Sequence, residues 1–304
     1  MREEGRIPPP SSLLSPPSSM QKTLLAIFAH PDDESFGPGA TLAKYALDGV
    51  AVHYLCGTRG EVGTVDAKHM NGFDSIGDMR WAELTAAAKE LKLARIHHLG
   101  FRDSGMPGAE DNRHPQALSA QPVEAVAARI AHFIRKLKPQ VVITHDTIGG
   151  YRHPDHIMLN KASVMFFERM ADPTAFPDPE GLPDHQPQRL YYAIFERRFL
   201  KTAVRLLPLF GQNPRKFGRN KDIDLLTLTE VDFPTHVSVE VGGESSEMRR
   251  RAAACHQSQT PPQRGPAAIF FQLLRIRGER DTFMQAYPPV NGSLKRRDLF
   301  EEVL

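Results

Sequence analysis

The sequence has little cysteine, no long apolar segment and almost no net charge. The two cysteines, Cys56 and Cys255, match no metal-binding spacing, so we expect free thiols in a reducing compartment rather than a disulfide. No apolar run approaches the roughly 18–20 residues that span a bilayer. The net charge of +2 creates no global attraction to nucleic acid or to an anionic membrane. These absences argue against a disulfide-stabilised, a transmembrane or a nucleic-acid-binding protein.

The N-terminal residues also lack the apolar core of a secretion signal. MREEGRIPPPSSLLSPPSSM is instead rich in proline and serine, a composition that disfavours a packed core. We therefore predict a disordered leader over residues 1–21, with Met20 as an alternative start of the protein. Together with the unpaired cysteines, this predicts a cytoplasmic protein.

The rest of the chain alternates short apolar runs with longer amphipathic ones. The runs that read as strands are TLLAIFA (23–29), AVHYLCGT (51–58), RIHHLGF (95–101) and QVVITHD (140–146). The amphipathic segments cover 39–49, 75–93, 122–138 and 153–170. Such alternation predicts right-handed βαβ units and a parallel sheet. We expect one Rossmann-like α/β domain, a mostly parallel sheet with helices on both faces and a C-terminal elaboration.

The second half of the chain departs from this regular alternation. A stretch rich in proline and aspartate covers 171–188, before RLYYAIF (189–195) and HVSVEV (236–241) resume as strands and 245–259 as a helix. Residues 197–221 carry eight basic residues and no acidic one. Because Pro208 interrupts this segment, we expect a solvated basic lid or loop rather than a membrane-surface helix. We assign 22–170 to the core of the domain and 171–304 to its remainder, including the wall of the substrate pocket.

Two polar motifs follow predicted strands. HPDDE begins at His30, directly after the first strand, and YRHPDHI begins at Tyr151, shortly after VVITHD. Ligands of open parallel sheets bind outside the carboxyl ends of the strands. Adjacent carboxylates repel one another there unless a cation lies between them. The motifs therefore predict a mononuclear divalent metal site of two histidines and one carboxylate, with one position left for water.

The residues alone divide the roles only in part. Asp32 and Asp33 cannot both point at one spot from a strand end, so one would bind metal while the other faces water as a general base. Two histidines and a carboxylate also describe the non-haem iron oxygenases. A nucleotide-binding or metal-binding module without catalysis is another alternative, although the FGPGA turn lacks G-x-G-x-x-G. In the structural alternative, Asp33 or Glu34 caps a helix and the histidines pack in the core.

AHPDDE together with YRHPDHI resembles the LmbE-like or PIG-L family of zinc-dependent de-N-acetylases. The resemblance extends to TRGEVG (58–63), MRWAEL (79–84) and GFRDSGM (100–106), and more weakly to RAAACHQSQ (251–259). It covers roughly residues 23–160, while 171–234 match nothing in the family. It implies a hydrolase that removes the acetyl group from an N-acetylglucosamine-type glycoside or a related small conjugate, using water activated at the metal.

The resemblance also implies individual roles. It assigns His30, Asp33 and His156 to the metal and Asp32 to the general base. The residues expected at the scissile amide are His153, as oxyanion partner and proton donor to the amine, Asp155, which orients His153, and Tyr151, which adds a hydrogen bond to the oxyanion.

Three further residues fall at positions that resemble substrate contacts of the family: Arg80, Asp103 and Glu61. The implied cofactor is zinc, with ferrous iron or another divalent cation as alternatives. The implied partner is a small N-acetylated amino sugar. The oligomeric state stays open between a monomer and a homo-oligomer.

Overall fold

One seven-stranded sheet organises the chain. The computed structural model describes residues 21–194, 197–216, 221, 224–260 and 280–304. The predicted leader therefore lies, apart from residue 21, outside the described residues. The strands are β1 (Thr23–Phe28), β2 (Ala51–Cys56), β3 (Arg95–His98), β4 (Val141–Thr144), β5 (Arg189–Ile194), β6 (Val237–Glu240) and β7 (Arg280–Tyr287). The described α-helices are α1 (Asp33–Phe36), α2 (Gly39–Leu47), α3 (Ile76–Glu90), α4 (Val123–Leu137), α5 (Gly149–Arg152), α6 (Pro154–Arg169), α7 (Arg197–Leu206) and α8 (Gly243–Cys255).

The strand order places the N-terminal strand in the interior of the sheet. The order is β3-β2-β1-β4-β5-β7-β6. The run from β3 to β5 is parallel, while β7 pairs antiparallel with β5 and with β6. This confirms the predicted mostly parallel sheet. Because the chain leaves β1 toward β2 and later returns on the other side as β4, the strand order reverses between β1 and β4, the usual ligand position in such folds.

Helices cover both faces of the sheet, as predicted. All six residues of β1 are buried, and successive side chains point to opposite faces. Leu25 and Ile27 belong to the core formed with α4 and α6. Leu24 and Ala26 belong to the core formed with α2 and α3. A strand that is apolar on both sides is stable only between two helical layers, so the composition of β1 itself demands this architecture.

The C-terminal part extends the same sheet and adds a helix to one face. Strand β7 lies between β5 and β6, and α8 packs against α2 and α3. Strand β7 was not predicted, because its sequence RDTFMQAY places polar side chains at buried positions. Thr282 and Gln285 are 8% and 5% exposed. Their side chains donate to the carbonyls of Ile194 and Pro288 at 2.9 and 2.8 Å.

The basic segment differs from its prediction. A loop was expected from residue 197, and the structure has the helix α7 there, followed by a 3₁₀ turn over Leu207–Phe210. Pro208 lies in the first turn of that 3₁₀ segment, where a missing backbone N–H breaks no helical hydrogen bond. Proline therefore ends α7 without unwinding it. None of the described helices combines the length and apolarity that crossing a membrane requires.

Candidate active site

The loop after β1 folds back over the end of its own strand. The Asp33 Oδ2 accepts hydrogen bonds from the backbone N–H groups of Ala29 and His30 at 3.1 and 2.9 Å. Asp32 has φ 130°, a region that costs a non-glycine residue about 1–3 kcal/mol and that clusters at functional sites. This turn separates the two neighbouring carboxylates, because Asp33 faces the histidines while Asp32 faces Arg80.

The loop after β4 returns across the same edge of the sheet. Gly149 and Gly150 have φ of 67° and 59°, and a Cβ on Gly149 would lie 2.7 Å from the side chain of Ile157. Glycine is therefore required for the tight reversal that brings the chain back. His153 caps α6, since its Nδ1 accepts from the backbone N–H of Asp155 at 3.2 Å.

The predicted ligand atoms of His30, Asp33 and His156 form a compact triangle. His30 Nδ1 lies 3.2 Å from His156 Nε2 and 3.7 Å from Asp33 Oδ2, and His156 Nε2 lies 3.6 Å from Asp33 Oδ2. Ligands of a tetrahedral zinc ion at 2.0–2.2 Å stand about 3.3–3.6 Å apart. Both imidazoles are buried, with 5% and 3% of their surface exposed. The triangle therefore fits a tetrahedral divalent cation that retains one open position.

The second nitrogen of His30 faces two buried carboxylates. His30 Nε2 lies 3.3 Å from Asp155 Oδ2 and 3.4 Å from Asp103 Oδ1. Ser104 holds Asp155 through its backbone N–H at 3.0 Å and through its hydroxyl. Carboxylates behind a metal-binding histidine fix the tautomer and the ring orientation, which here leaves Nδ1 free for a cation. Asp155 thus contacts the ring of His153 through its backbone N–H, and its carboxylate is directed at His30.

Asp32 is held by a buried arginine on α3. Arg80, which is 4% exposed, donates from Nη2 to Asp32 Oδ2 at 3.1 Å and to the Pro31 carbonyl at 2.7 Å. Burial raises the pKa of Asp32 to about 6, although the charge of Arg80 opposes the shift. A carboxyl group with a pKa near 6 is suited to accept a proton close to neutral pH.

Tyr151 and His153 line the other side of the cluster. The ring centroid of His153 is 4.4 Å from that of His30, and the Tyr151 centroid is 5.2 Å from that of His156. Burial raises the pKa of the Tyr151 phenol and lowers the pKa of His153 to about 3. Since His153 Nδ1 accepts from the Asp155 N–H, its remaining proton is on Nε2. Both side chains therefore offer a hydrogen-bond donor to a polar group near the triangle.

The remaining predicted residues tie together the loops that follow β2 and β3. Glu61 Oε2 accepts from the backbone N–H of Asp103 at 3.0 Å. Asp103 in turn accepts from the backbone N–H groups of Gly105 and Val62 at 2.8 and 3.4 Å. The fold therefore gathers the predicted site residues at the carboxyl edge of the sheet.

Sequence reasoning missed His145 and the pairing of Glu34 with His256. His145 Nε2 accepts from the Ala29 N–H at 3.1 Å, and its ring stacks on His156 with centroids 3.7 Å apart. Its position directly after β4 was a usable signal, because His30 follows the neighbouring strand in the same way. Glu34 Oε1 and His256 Nε2 lie 2.6 Å apart, and both side chains are fully buried. Their separation in sequence left no local signal.

The fold and these contacts define an α/β protein with a candidate mononuclear metal centre at its topological switch point. The sequence profile described as GlcNAc-PI de-N-acetylase, PIG-L, matches residues 25–167. A 1D-myo-inositol 2-acetamido-2-deoxy-alpha-D-glucopyranoside deacetylase of Acidothermus cellulolyticus is 40% identical over 303 residues, which cover 93% of this chain and 96% of the relative. The chain belongs to the PIG-L family, which confirms the resemblance drawn from AHPDDE and YRHPDHI.

Solved structures share the fold at lower identity. An N,N'-diacetylchitobiose deacetylase from Pyrococcus horikoshii has a TM-score of 0.60 at 20% identity, with 88% of this chain and 84% of that chain covered. A 4-carboxy-2-hydroxymuconate hydratase from Pseudomonas putida has a TM-score of 0.54 at 15% identity, with 90% and 100% covered. Since these two proteins carry different activities, the likeness establishes the fold, and the chemistry has to be argued from the site.

Proposed function

We propose that this protein is a metal-dependent amide hydrolase that removes the acetyl group from a 2-acetamido-2-deoxyglucoside. The triangle of His30, Asp33 and His156 with Asp32 beside it is the observation that carries the proposal. The A. cellulolyticus relative supports the substrate class, because its name specifies a 2-acetamido-2-deoxyglucoside of inositol. A cytoplasmic location is part of the same proposal.

Zinc is the cation we propose for the triangle, with ferrous iron as the alternative. Two histidines and one carboxylate with an open fourth position are a donor set of catalytic zinc. When bound, such a cation polarises an acyl carbonyl and lowers the pKa of water to about 7.

Asp32 is the proposed general base. Its Oδ2 accepts from Arg80, and within the described residues its Oδ1 makes no hydrogen bond, so Oδ1 is the atom that takes the proton from the attacking water. Arg80 keeps the carboxylate in one orientation during this transfer. A positioned base of this kind contributes typically 10²–10⁴ in rate.

Tyr151 and His153 are the proposed donors to the oxyanion that forms on the acetyl carbonyl. A single donor of this kind is worth about 10²–10³ in kcat. As the C–N bond breaks, the leaving nitrogen takes up a proton. That proton is the one that Asp32 accepted from water, and it reaches the nitrogen either directly from Asp32 or through His153, our proposed donor, once that proton has converted it to an imidazolium.

The three proposed substrate contacts differ in access. Arg80 and Asp103 are each 4% exposed and already contact Asp32 and His30. Glu61 is only partly buried, which makes it the best placed of the three to meet a sugar hydroxyl. We propose that Arg80 and Asp103 contact the sugar only next to the acetamide group that reacts.

Deacetylation of a panel of acetamido sugars tests this function. The protein is loaded with zinc and given N-acetylglucosaminides with different aglycones, inositol included, with and without oxygen. We expect equal amounts of acetate and free amine, loss of activity with a chelator, recovery with zinc and no activity in Asp33→Ala. A product that forms only with oxygen would favour the iron oxygenase alternative. Metal-loaded protein that releases amine from no member of the panel would refute the proposal.

A further inference from the structure

Behind the general base lies a buried acid–imidazole pair. Glu34 and His256 are both 0% exposed, and Glu34 Oε1 lies 2.6 Å from His256 Nε2. The other oxygen of Glu34, Oε2, accepts from the backbone N–H of Asp32 at 3.0 Å. The side chain of Glu34 therefore connects the end of α8 to the backbone of the residue whose φ is 130°.

Glu34 is fully engaged, whereas His256 is not. Glu34 Oε1 also accepts from the Ser35 hydroxyl at 2.6 Å, so both of its oxygens have partners. His256 Nδ1 is buried and has no hydrogen-bond partner within the part of the chain that the structure describes. An unpaired buried polar atom is destabilising, because it loses its hydrogen bonds to water and gains none in the protein. An imidazole kept at that cost, with its other nitrogen on Glu34, points to a role beyond packing.

We propose that Glu34 and His256 are positioning residues that hold the Asp32 carboxylate in its reactive orientation. His256 donates to Glu34 and fixes its rotamer. Glu34 then accepts from the Asp32 N–H and so holds the backbone of Asp32 at its unfavourable positive φ. Arg80 donates to the side chain of Asp32, so Asp32 is restrained through both its backbone and its carboxylate. The inference deepens the proposed function and rests on it, since it assigns His256, from the far end of the chain, to the same site.

Two amide substitutions separate position from polarity at residue 256. Glutamine can place its amide near the Nε2 position of the imidazole, while asparagine reaches only the Nδ1 position and cannot reach Glu34. We expect His256→Asn to lower kcat by about 10–100-fold, the usual cost of a misplaced catalytic group, with KM and zinc content within about twofold of wild type. His256→Gln should restore most of kcat.

A matched control removes a similar pair elsewhere. His132 Nδ1 on α4 lies 2.9 Å from Asp178 Oδ2, on the opposite face of the sheet from α8. His132→Gln should leave kcat unchanged. In an Asp32→Asn background, His256→Asn should cause no further loss, because the group that it positions is already inactive.

Hydrogen exchange at the Asp32 amide gives a readout that does not depend on activity. His256→Asn should speed this exchange by about tenfold or more as Glu34 loses its anchor. His256→Gln and His132→Gln should leave the exchange close to wild type. Unchanged exchange in His256→Asn, or a kcat equal to wild type, or full additivity with Asp32→Asn would each overturn the inference. A wild-type protein without deacetylase activity would refute the proposed function, and the exchange would still decide the inference.

Discussion

At the scale of single residues, Asp32 and Asp33 place the same side chain in two opposite environments. Asp33 accepts from two backbone N–H groups and lies 3.6 Å from His156 Nε2. Asp32 contacts Arg80, and its burial raises its pKa. The fold thus directs the Asp33 carboxylate at the histidines, as the proposed metal ligand, and the Asp32 carboxylate at Arg80, as the proposed general base.

Substitution should therefore affect these neighbours differently. Asp33→Ala should lose metal and activity together, because one of the three ligands is gone. Asp32→Asn should keep the metal and bind substrate almost normally while its kcat drops by about 10²–10⁴, since an amide accepts no proton. Metal analysis and single-turnover deacetylation of both variants are the measurements. Normal turnover in Asp32→Asn would contradict the mechanism, and metal loss only in Asp32→Asn would reverse the two roles.

His153 should matter for rate without holding metal. We expect His153→Ala to keep its metal and to lose about 10²–10³ in kcat, the worth of one oxyanion donor. An activated N-acetyl anilide, whose leaving amine needs little protonation, distinguishes the two roles of this residue. Equal losses on the sugar and on the anilide indicate oxyanion binding, and a smaller loss on the anilide indicates proton donation. A metal-free His153→Ala would mean that His153 and His156 have exchanged roles.

At the scale of elements, a non-glycine residue, Lys92, adopts the left-handed conformation just after the C-terminus of α3. Lys92 has φ 54°. Its N–H donates to the Lys89 carbonyl at 3.1 Å, and the N–H of Leu93 donates to the Ala88 carbonyl at 2.9 Å. This pair of hydrogen bonds is the Schellman motif, which usually has glycine at the position of Lys92.

Lys92→Gly should therefore stabilise the protein. A left-handed conformation costs an L-residue about 1–2 kcal/mol, and the greater freedom of glycine in the unfolded chain returns part of that gain. We expect the free energy of unfolding to rise by about 0.5–1 kcal/mol, measured by urea denaturation. Lys89→Gly, inside the same helix, is the matched control and should lower it by about 1 kcal/mol. Destabilisation by Lys92→Gly would show that the salt bridge of Lys92 to Glu244 outweighs the backbone strain.

The elements also differ in how well the sequence predicts them. The apolar spacing of the sequence predicts strand β1 and helix α4, because their buried side chains pack against other apolar side chains. Strand β7 does not, since hydrogen bonds rather than apolar contacts satisfy Thr282 and Gln285. In the site, the two His-Pro-Asp motifs are local and were visible. The contact between Glu34 and His256 joins residues 222 positions apart, and only the fold brings them together.

At the scale of the whole molecule, the hydrophobic cores that stabilise the fold lie apart from the candidate metal centre. Apolar cores lie on both faces of the sheet, whereas the three proposed ligands lie at its edge. Within the residues that the structure describes, the hydrophobic cores contain none of the three proposed ligands, so the cation should add stability to a protein that is already folded.

Zinc removal should therefore lower the melting temperature without unfolding the protein. A ligand that binds only the folded state at 100 times its Kd adds about 2.7 kcal/mol, which corresponds to a shift of several degrees in a domain of this size. Calorimetry of chelator-treated and zinc-loaded protein measures the shift. Asp33→Ala should show no shift, and Asp32→Asn should retain it. Loss of helical circular dichroism on chelation at room temperature would contradict this view.

The interior position of β1 has a consequence for synthesis on the ribosome. Leu24, Leu25, Ala26 and Ile27 are 0% exposed in the folded sheet, and β1 has neighbours on both sides. One of those neighbours, β4, begins about 120 residues after β1, a delay of roughly 6–24 s at 5–20 residues per second. For that time the nascent chain carries an uncovered apolar strand edge. We therefore expect the emerging polypeptide to depend on ribosome-associated chaperones, and slowing translation before residue 141 should increase its aggregation.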